Sequence, residues 1–513
     1  MTERKKPRAT RLSPWWRRAV LIAALPGAAC ATDQLALAPA APGRPLLIPP
    51  SLSAPPPPDA ANVLSSHILS SHNGGADFPP GNAVAIDPAK RYDLAALIDL
   101  AERNNPVTRE AWESARQAAL AVGLSETSFL PQISAEMIGG FQRTPLPIPT
   151  TLIPQGYFTS DTRELIPTLA VKWLLFDFGQ RAGATEAARA SSFVANVAFS
   201  GAQQRLVYAV SRDYFALGAA RGRLRVAREA LKTAEIVEDA AVAALANGLG
   251  TVVALAEARR QTAEARFDLE RATADEHSAY EALIASMGIA PEAHIHVADS
   301  TQERLPAAPS ADVDRFIHEA LSERPDVNAA IGQVRAAEAT LKSARASYYP
   351  TIGLEAQAYQ NFGGLSTDGS SYYSVDKPGA NVILKLSLPL FDGGARSARV
   401  ATARSEVAAA GAVLEQARNA AVQQVSDAYD ALRTSFAEYA ASVALTAAAE
   451  TAYDAALDAY RNGVGTYTDL VRDETALAEA QSEKEDAHAN VFTSAAALAF
   501  ATGSILSPQS RTP

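Results

Sequence analysis

The sequence predicts a mixed α and β fold: a long antiparallel α-helical barrel joined to a transmembrane β-barrel, with an internal two-fold repeat and four strands per chain completed by trimerisation. Three observations carry this. Phe176-Asp177-Phe178-Gly179-Gln180-Arg181 recurs 215 residues later as Phe391-Asp392-Gly393-Gly394-Ala395-Arg396, and Asn247-Gly248-Leu249-Gly250-Thr251 recurs at the same offset as Asn462-Gly463-Val464-Gly465-Thr466. Four segments alternate apolar and polar residues with a period of two, the mark of a sheet with unlike faces. Two proline-free, alanine-rich stretches of roughly 65 residues would each span about 100 Å as helices, too long for a compact globule. A repeat of this size is no solenoid unit of about 20 to 50 residues; one large unit has been copied in tandem.

Length alone, 513 residues, would suggest about three domains. The repeat divides the chain instead into a first unit at 91–290, a second at 310–503 and a tail at 504–513. The net charge of -10 argues against a nucleic-acid partner, which would want a basic face. One cysteine and seven scattered histidines leave no disulfide and point to no metal site, cofactor or catalytic centre.

Residues 1–30 read as an export signal: Lys5, Lys6, Arg8, Arg11, Arg17 and Arg18, then an apolar run from Ala19 to Leu25, then Gly27-Ala28-Ala29. The apolar run is too short to span a bilayer. Cys30 follows the small residues. Gly27-Ala28-Ala29-Cys30 resembles a degenerate lipoprotein box, which would make Cys30 a lipidation site, while Ala29-Cys30-Ala31 suits an ordinary signal peptidase. Residues 31–90, with Pro55-Pro56-Pro57-Pro58, read as an extended tether. No later stretch reaches the roughly 20 apolar residues of a transmembrane helix, so a membrane would have to be met with strands.

Each unit then follows one plan. A helix is expected at 92–128 and again at 312–348, with an early proline at Pro106 and Pro325. In the first unit Ile133, Ala135, Met137, Gly139 and Phe141 alternate with polar neighbours; in the second Ile352, Leu354, Ala356 and Ala358 do so. Partner strands are expected at 165–177 and 380–392, with Leu169, Val171, Trp173 and Leu175 on one face, as are Val382, Leu384, Leu386, Leu388 and Leu390. Lys172 and Lys385 take the other face, and loops are expected at 144–164 and 363–379. Strands of about ten residues, apolar on one side and polar on the other, carry the signature of an outer-membrane barrel. A soluble sheet packed on helices is the bland alternative, but an open four-stranded sheet in lipid would leave its edges unpaired. Several chains must close it, and three give twelve strands.

Phe176, Asp177 and Gly179, like Phe391, Asp392, Gly393 and Gly394, mark junctions from strand into long helices at 181–246 and 396–461. Return helices are expected at 252–287 and 467–502. The glycines between suit a helix terminus and reversal, and Thr251 and Thr466 are placed to cap the outgoing helix. Small residues around these helices let axes approach closely and curve into a tube. A coiled-coil rod is the competing reading, supported by the seam of Leu206, Val210, Leu217, Leu224 and Leu231. The strands argue against it.

Assembled, these motifs resemble the TolC-type outer membrane efflux protein family over about residues 90–503. Leu388-Pro389-Leu390-Phe391-Asp392-Gly393-Gly394 is similar to the family's strand-to-helix junction, and Tyr460 to Leu470, containing Asn462-Gly463-Val464-Gly465-Thr466, to its periplasmic-tip turn. The first copies depart: Phe178 stands where glycine is expected after Asp177, and Ala254 where the second copy has Asp469. The resemblance implies a homotrimer in the outer membrane extending into the periplasm, a passive exit duct of a tripartite efflux or type I secretion system. It implies that Asn247, Gly248, Gly250 and Thr251, with Asn462, Gly463, Gly465 and Thr466, dock a periplasmic adaptor serving an inner-membrane pump of the resistance or ABC type. Asp469, with Asp473 beside it, matches the acidic tip gate; an ordinary helix N-terminal carboxylate explains Asp469 equally well. The alternative function is a periplasmic coiled-coil adaptor or scaffold without a channel.

Overall fold

The computed structural model describes residues 34–42, 89–152, 154–248, 250–290, 294–309, 312–462 and 464–506. The predicted signal with Cys30, most of the predicted tether, Gly463 and residues 507–513 lie outside the described residues. The elements in chain order are β1 (Arg91–Tyr92), α1 (Leu94–Asn104), α2 (Pro106–Glu126), β2 (Gln132–Pro147), β3 (Tyr157–Phe176), α3 (Gln180–Ala246), α4 (Val252–Met287), β4 (His296–Val297), α5 (Val313–Glu323), α6 (Pro325–Ala346), β5 (Thr351–Thr367), β6 (Tyr373–Ser374), β7 (Lys377–Ser387), α7 (Ala395–Arg461) and α8 (Tyr467–Thr502). Two compact units emerge, one built on residues 116–193 and 332–411, the other on 39–115, 194–331 and 412–506.

The first unit holds the sheet. β2 pairs antiparallel with β3, β3 with β5, and β5 with β7, while the short β6 adds to the distal end of β5. The register sorts side chains cleanly. Gln132 sits opposite Lys172, and Lys172 opposite Glu355, so the polar residues share one face. Ile133 faces Val171, Ala135 faces Leu169, and Leu354 faces Leu384, so the apolar residues share the other. That apolar face is uncovered: Val382 is 72% exposed and Leu384 68%. Among the described residues β2 and β7 each have one long flank without a partner. In water such a surface would aggregate; in lipid its apolar face is solvated and only its edges need closing.

Several expectations need correction here. The strands are longer than the alternation suggested: β2 continues to Pro147 and β3 begins at Tyr157, inside the expected loop 144–164. β5 likewise runs to Thr367, inside the expected loop 363–379, and β7 spans Lys377–Ser387 rather than 380–392. Leu388 and Leu390 therefore lie past the strand end, where Pro389 cannot donate to a ladder. Leu175 does not continue its face. A β-bulge between Leu174 and Phe176 makes it the extra residue, and Phe176 takes the place opposite Ile352.

The second unit is helical. The long helices α3 and α7, of 67 residues each, begin in the first unit and continue into this one, and α4 and α8 have 36 residues each. Among the described residues no helix is long and apolar enough to cross a membrane. The expected helices at 92–128 and 312–348 are each broken in two, at Asn105 and Arg324. The residue before a proline is driven into extended backbone, and ψ is 123° at Asn105 and 129° at Arg324. Pro106 and Pro325 then open α2 and α6, a position that asks for no N–H. The breaks also make room. Gly288 and Gly503 end α4 and α8 in left-handed backbone, and a Cβ at Gly288 would lie 2.8 Å from Pro106 Cδ. At Gly503 it would lie 3.1 Å from Arg324 Cα.

Two apolar clusters hold this unit. One gathers Leu97, Leu100, Val210, Tyr214, Leu283 and Met287; the other Val425, Tyr429, Leu432, Val491 and Leu498. The alternation and helix periods did not show the small parallel pair of β1 with β4, which ties the start of the first repeat to the segment between repeats. Nor did they show that part of the predicted tether is bound to the body. Trp112 Nε1 donates to the Pro39 carbonyl at 2.7 Å and Gln203 Nε2 to that of Pro42 at 3.1 Å.

Candidate functional site

The strand-to-helix junctions are built alike in both copies. Asp177 accepts from the backbone N–H of Gly179 and Arg181 and from Arg181 Nε, at 3.3, 2.8 and 2.9 Å. Asp392 accepts from the N–H of Gly394 and Arg396 and from Arg396 Nε, at 3.2, 3.0 and 2.8 Å. Each carboxylate thus satisfies orphan donors at the start of a long helix and lies at the positive end of its dipole. The Asp392 carboxyl is pushed up by burial, but the Arg396 side-chain and backbone hydrogen bonds outweigh this and hold it below the usual range.

The residue after each aspartate is left-handed, with φ 53° at Phe178 and 65° at Gly393. Glycine takes that backbone freely and phenylalanine does not. Phe178 is held by its ring, edge-on to Phe176 at 4.9 Å and stacked on Tyr349 at 5.5 Å.

The helical reversals also match. Asn247 Nδ2 donates to Ala243 O and Asn462 Nδ2 to Asp458 O, both at 2.8 Å. Gly250 N donates to Ala244 O and Gly465 N to Ala459 O, both at 3.0 Å. A Cβ on Gly250 would come within 2.9 Å of Leu245 N, and one on Gly465 within 3.0 Å of Tyr460 N. Gly248 has φ 72° with open space around it. Thr251 and Thr466 accept from the N–H three residues on, at 3.0 and 3.1 Å, and start α4 and α8.

The two reversals part company in the next turn. Asp469 accepts a 2.6 Å hydrogen bond from the Thr466 hydroxyl, and Arg472 lies 3.5 Å from Asp469 and 3.0 Å from Asp473. One guanidinium between two carboxylates leaves this trio with one net negative charge. At the other tip Ala254 offers nothing in place of Asp469, and the flanking Val252 and Val253 are exposed.

Sequence reasoning missed Glu474. It is 7% exposed, and neither carboxylate oxygen has a hydrogen-bond partner. Burial pushes its carboxyl up to about 7. Around it stand Tyr453 on α7, raised by burial and then by Glu474, and Tyr467 on α8, raised to about 12 by burial and then by Glu474. Glu257 and Arg260 of α4 also act on Tyr467, and Asp454 and Arg461 of α7 on Tyr453. The available signal was a third acidic residue in the run Asp473-Glu474, on the opposite side of the turn from Asp469.

On the polar face of the sheet, an open cavity of about 600 Å³ is lined by Lys172, Arg181, Glu355 and Lys385 among others. Among the described residues no group of His, Cys, Asp and Glu could hold a metal ion.

A profile of the outer membrane efflux protein family matches residues 97–289 and again 316–504. Protein CyaE of Bordetella pertussis is 28% identical over 425 residues, covering 82% of this chain and 86% of that protein. Outer membrane protein OprJ of Pseudomonas aeruginosa is 26% identical, covering 83% and 89%. The cation efflux system protein CusC of Escherichia coli is 27% identical, covering 75% and 80%. Among solved structures, one of CusC superposes with TM-score 0.69 at 22% identity, covering 83% of this chain and 99% of that one. A membrane protein from Pseudomonas aeruginosa superposes with TM-score 0.66 at 24% identity, covering 80% and 93%. With strands, junctions and reversals in place, the chain belongs to the outer membrane efflux protein family, and it is an outer-membrane efflux channel that extends into the periplasm.

Proposed function

We propose that three copies of this chain close one twelve-stranded barrel and one helical tunnel, forming the passive exit duct of a tripartite efflux or type I secretion system. The observation that carries this reading is the open four-stranded sheet, apolar and uncovered on one face, polar on the other, with β2 and β7 each lacking a partner. Closing the edges across three chains satisfies every backbone group in lipid and places the polar face, with Lys172, Glu355 and Lys385, around a water-filled lumen.

In this assembly the reversals at 247–251 and 462–466 form the periplasmic rim that docks an adaptor protein, which couples the duct to an inner-membrane pump. Asp469 and Asp473 from three chains, tempered by Arg472, form an acidic ring that favours cations over anions. The duct performs no chemistry of its own; family members are channel or transport proteins. Residues 1–30 direct export, and lipidation of Cys30 would add a membrane anchor.

The test is extraction and reconstitution. The protein should leave the outer membrane only with detergent, migrate as a trimer and conduct ions in a planar bilayer. Asp469→Ala should weaken the block of that current by multivalent cations, and unchanged block would remove Asp469 from the gate. A water-soluble periplasmic species without conductance would overturn the duct in favour of an adaptor or scaffold.

A further inference from the structure

The strands β2, β3, β5 and β7 contain nine charged residues, and the register places six of them on the polar face. The remaining three, Arg143, Asp161 and Arg163, are on the apolar face and adjoin one another. Arg143 sits opposite Asp161, and Arg163 opposite Phe141 one step nearer the helices. No other charge lies on that face among the described residues of these strands.

Their height on the sheet is as specific as their face. From Ile133 to Phe141 every apolar-face residue of β2 is uncharged, and from Trp173 to Leu165 the same holds on β3. Nine residues, eight steps of about 3.3 Å, give about 26 Å along the strand, and about nine to eleven residues is what a tilted strand uses to cross the hydrocarbon layer. The next apolar-face positions are Arg143 and Arg163. Both lie toward the loops at 148–156 and 368–372, the end away from the helices.

The two guanidinium groups are held differently. Arg143 makes a bidentate pair with Asp161, at 2.6 and 2.7 Å, and its side chain is 65% exposed against 7% for Asp161. Arg163 lies near two rings, 4.5 Å from the centroid of Tyr372 and 5.8 Å from that of Phe141. Gly364 makes the space: a Cβ there would meet Tyr372 at 3.0 Å. The Arg163 guanidinium donates no hydrogen bond to another described residue, and Asp161 acts on it only through charge. A planar, exposed donor edge just above an apolar band is suited to phosphate oxygens.

We propose that Arg143 and Arg163 form a patch that binds the phosphate groups of a glycolipid headgroup in the outer leaflet of the outer membrane. This rests on the reading of the sheet as a barrel wall with its loops outward. The patch belongs to the first hairpin alone, because β5 presents Gly364 and Ser366 at the corresponding height. Three copies place three such patches around the barrel.

The test measures binding of bis-phosphorylated lipid A, and of the same lipid with its phosphates removed, to the full-length protein in detergent. Wild type should prefer the phosphorylated lipid. Arg163→Gln should lose about fivefold of that preference, the contribution of one basic residue near an anionic surface. Lys172→Gln, on the polar face, should lose none. Equal binding of both lipids by wild type, or an equal loss in Lys172→Gln, overturns the patch. Should Arg163→Gln fail to assemble, Arg163→Lys keeps the charge and wild type can be titrated with salt; a preference insensitive to salt also overturns it. Conductance separates the two proposals: a wild type that conducts but ignores the phosphates removes the patch and leaves the duct standing, whereas a wild type that does not conduct removes the duct.

Discussion

The two repeats carry the same scaffold of hydrogen bonds at the same offset, yet they are finished differently. Asp177 and Asp392 cap the long helices in the same way, and Gly250 and Gly465 close the reversals with the same bond at 3.0 Å. The differences lie in what stands on that scaffold. The first copy has a phenylalanine in a glycine backbone, an arginine-bearing hairpin and a tip flanked by valines. The second has Gly393, an uncharged hairpin face and a tip with Asp469, Arg472 and Asp473. What is shared builds the junctions and reversals; what differs gives them chemical character.

The largest effects should come from breaking what is shared. Valine at Gly250 or Gly465 drives a Cβ into the preceding turn, and overpacking of this kind costs about 1 to 3 kcal/mol. We expect faster amide exchange in the last turn of α3 or α7, with trimer yield unchanged. The junctions should respond next. Asp177→Ala removes a buried cap and should cost about 1 to 2 kcal/mol in thermal unfolding. Asp392→Ala should cost less, because the Asp392 side chain is 26% exposed against 7% for Asp177.

Swapping the residues that follow sharpens the comparison. Gly393→Phe puts a side chain into left-handed backbone with no neighbour within 4 Å, and should cost about 1 to 2 kcal/mol. Phe178→Gly removes that strain but also the contacts with Phe176 and Tyr349, each worth about 1 kcal/mol. Its stability should stay close to wild type. Equal losses in both swaps would mean the two turns are not equivalent.

A further effect is set by pH. A carboxyl whose value is raised in the fold stabilises it fully below its ordinary value of 4.5 and loses that contribution as pH rises through about 7. Packing around Glu474 should therefore loosen between about pH 5 and 8, read as an amide-exchange protection factor at the start of α8 that falls about tenfold or more after division by the intrinsic rate. Glu474→Gln should flatten the profile. An unchanged profile would show that the carboxyl is not what titrates.

Much of this was legible in the chain, for reasons local to particular residues. Helices expected at 252–287 and 467–502 are found at those bounds because Thr251 and Thr466 start them and Gly288 and Gly503 stop them. The strand core was legible because one face is apolar and the other polar. Strand ends were not, since Pro145, Thr159 and Arg163 read as loop until their partners across the sheet are known. The breaks at Pro106 and Pro325 needed the approach of Gly288 and Gly503, which no local pattern contains. Glu474 was hidden because burial is a property of what packs against it.

The central claim is that the β2 edge of one copy pairs with the β7 edge of the next until three chains close. With Cys30 replaced by serine, single cysteines should be scanned in pairs along β2 and β7 in intact outer membranes and oxidised. Correctly registered pairs should give covalent trimers, and pairs placing both cysteines on β3 and β5 should give only monomers. Cross-linked dimers as the final product, or no cross-link at any register, would contradict it.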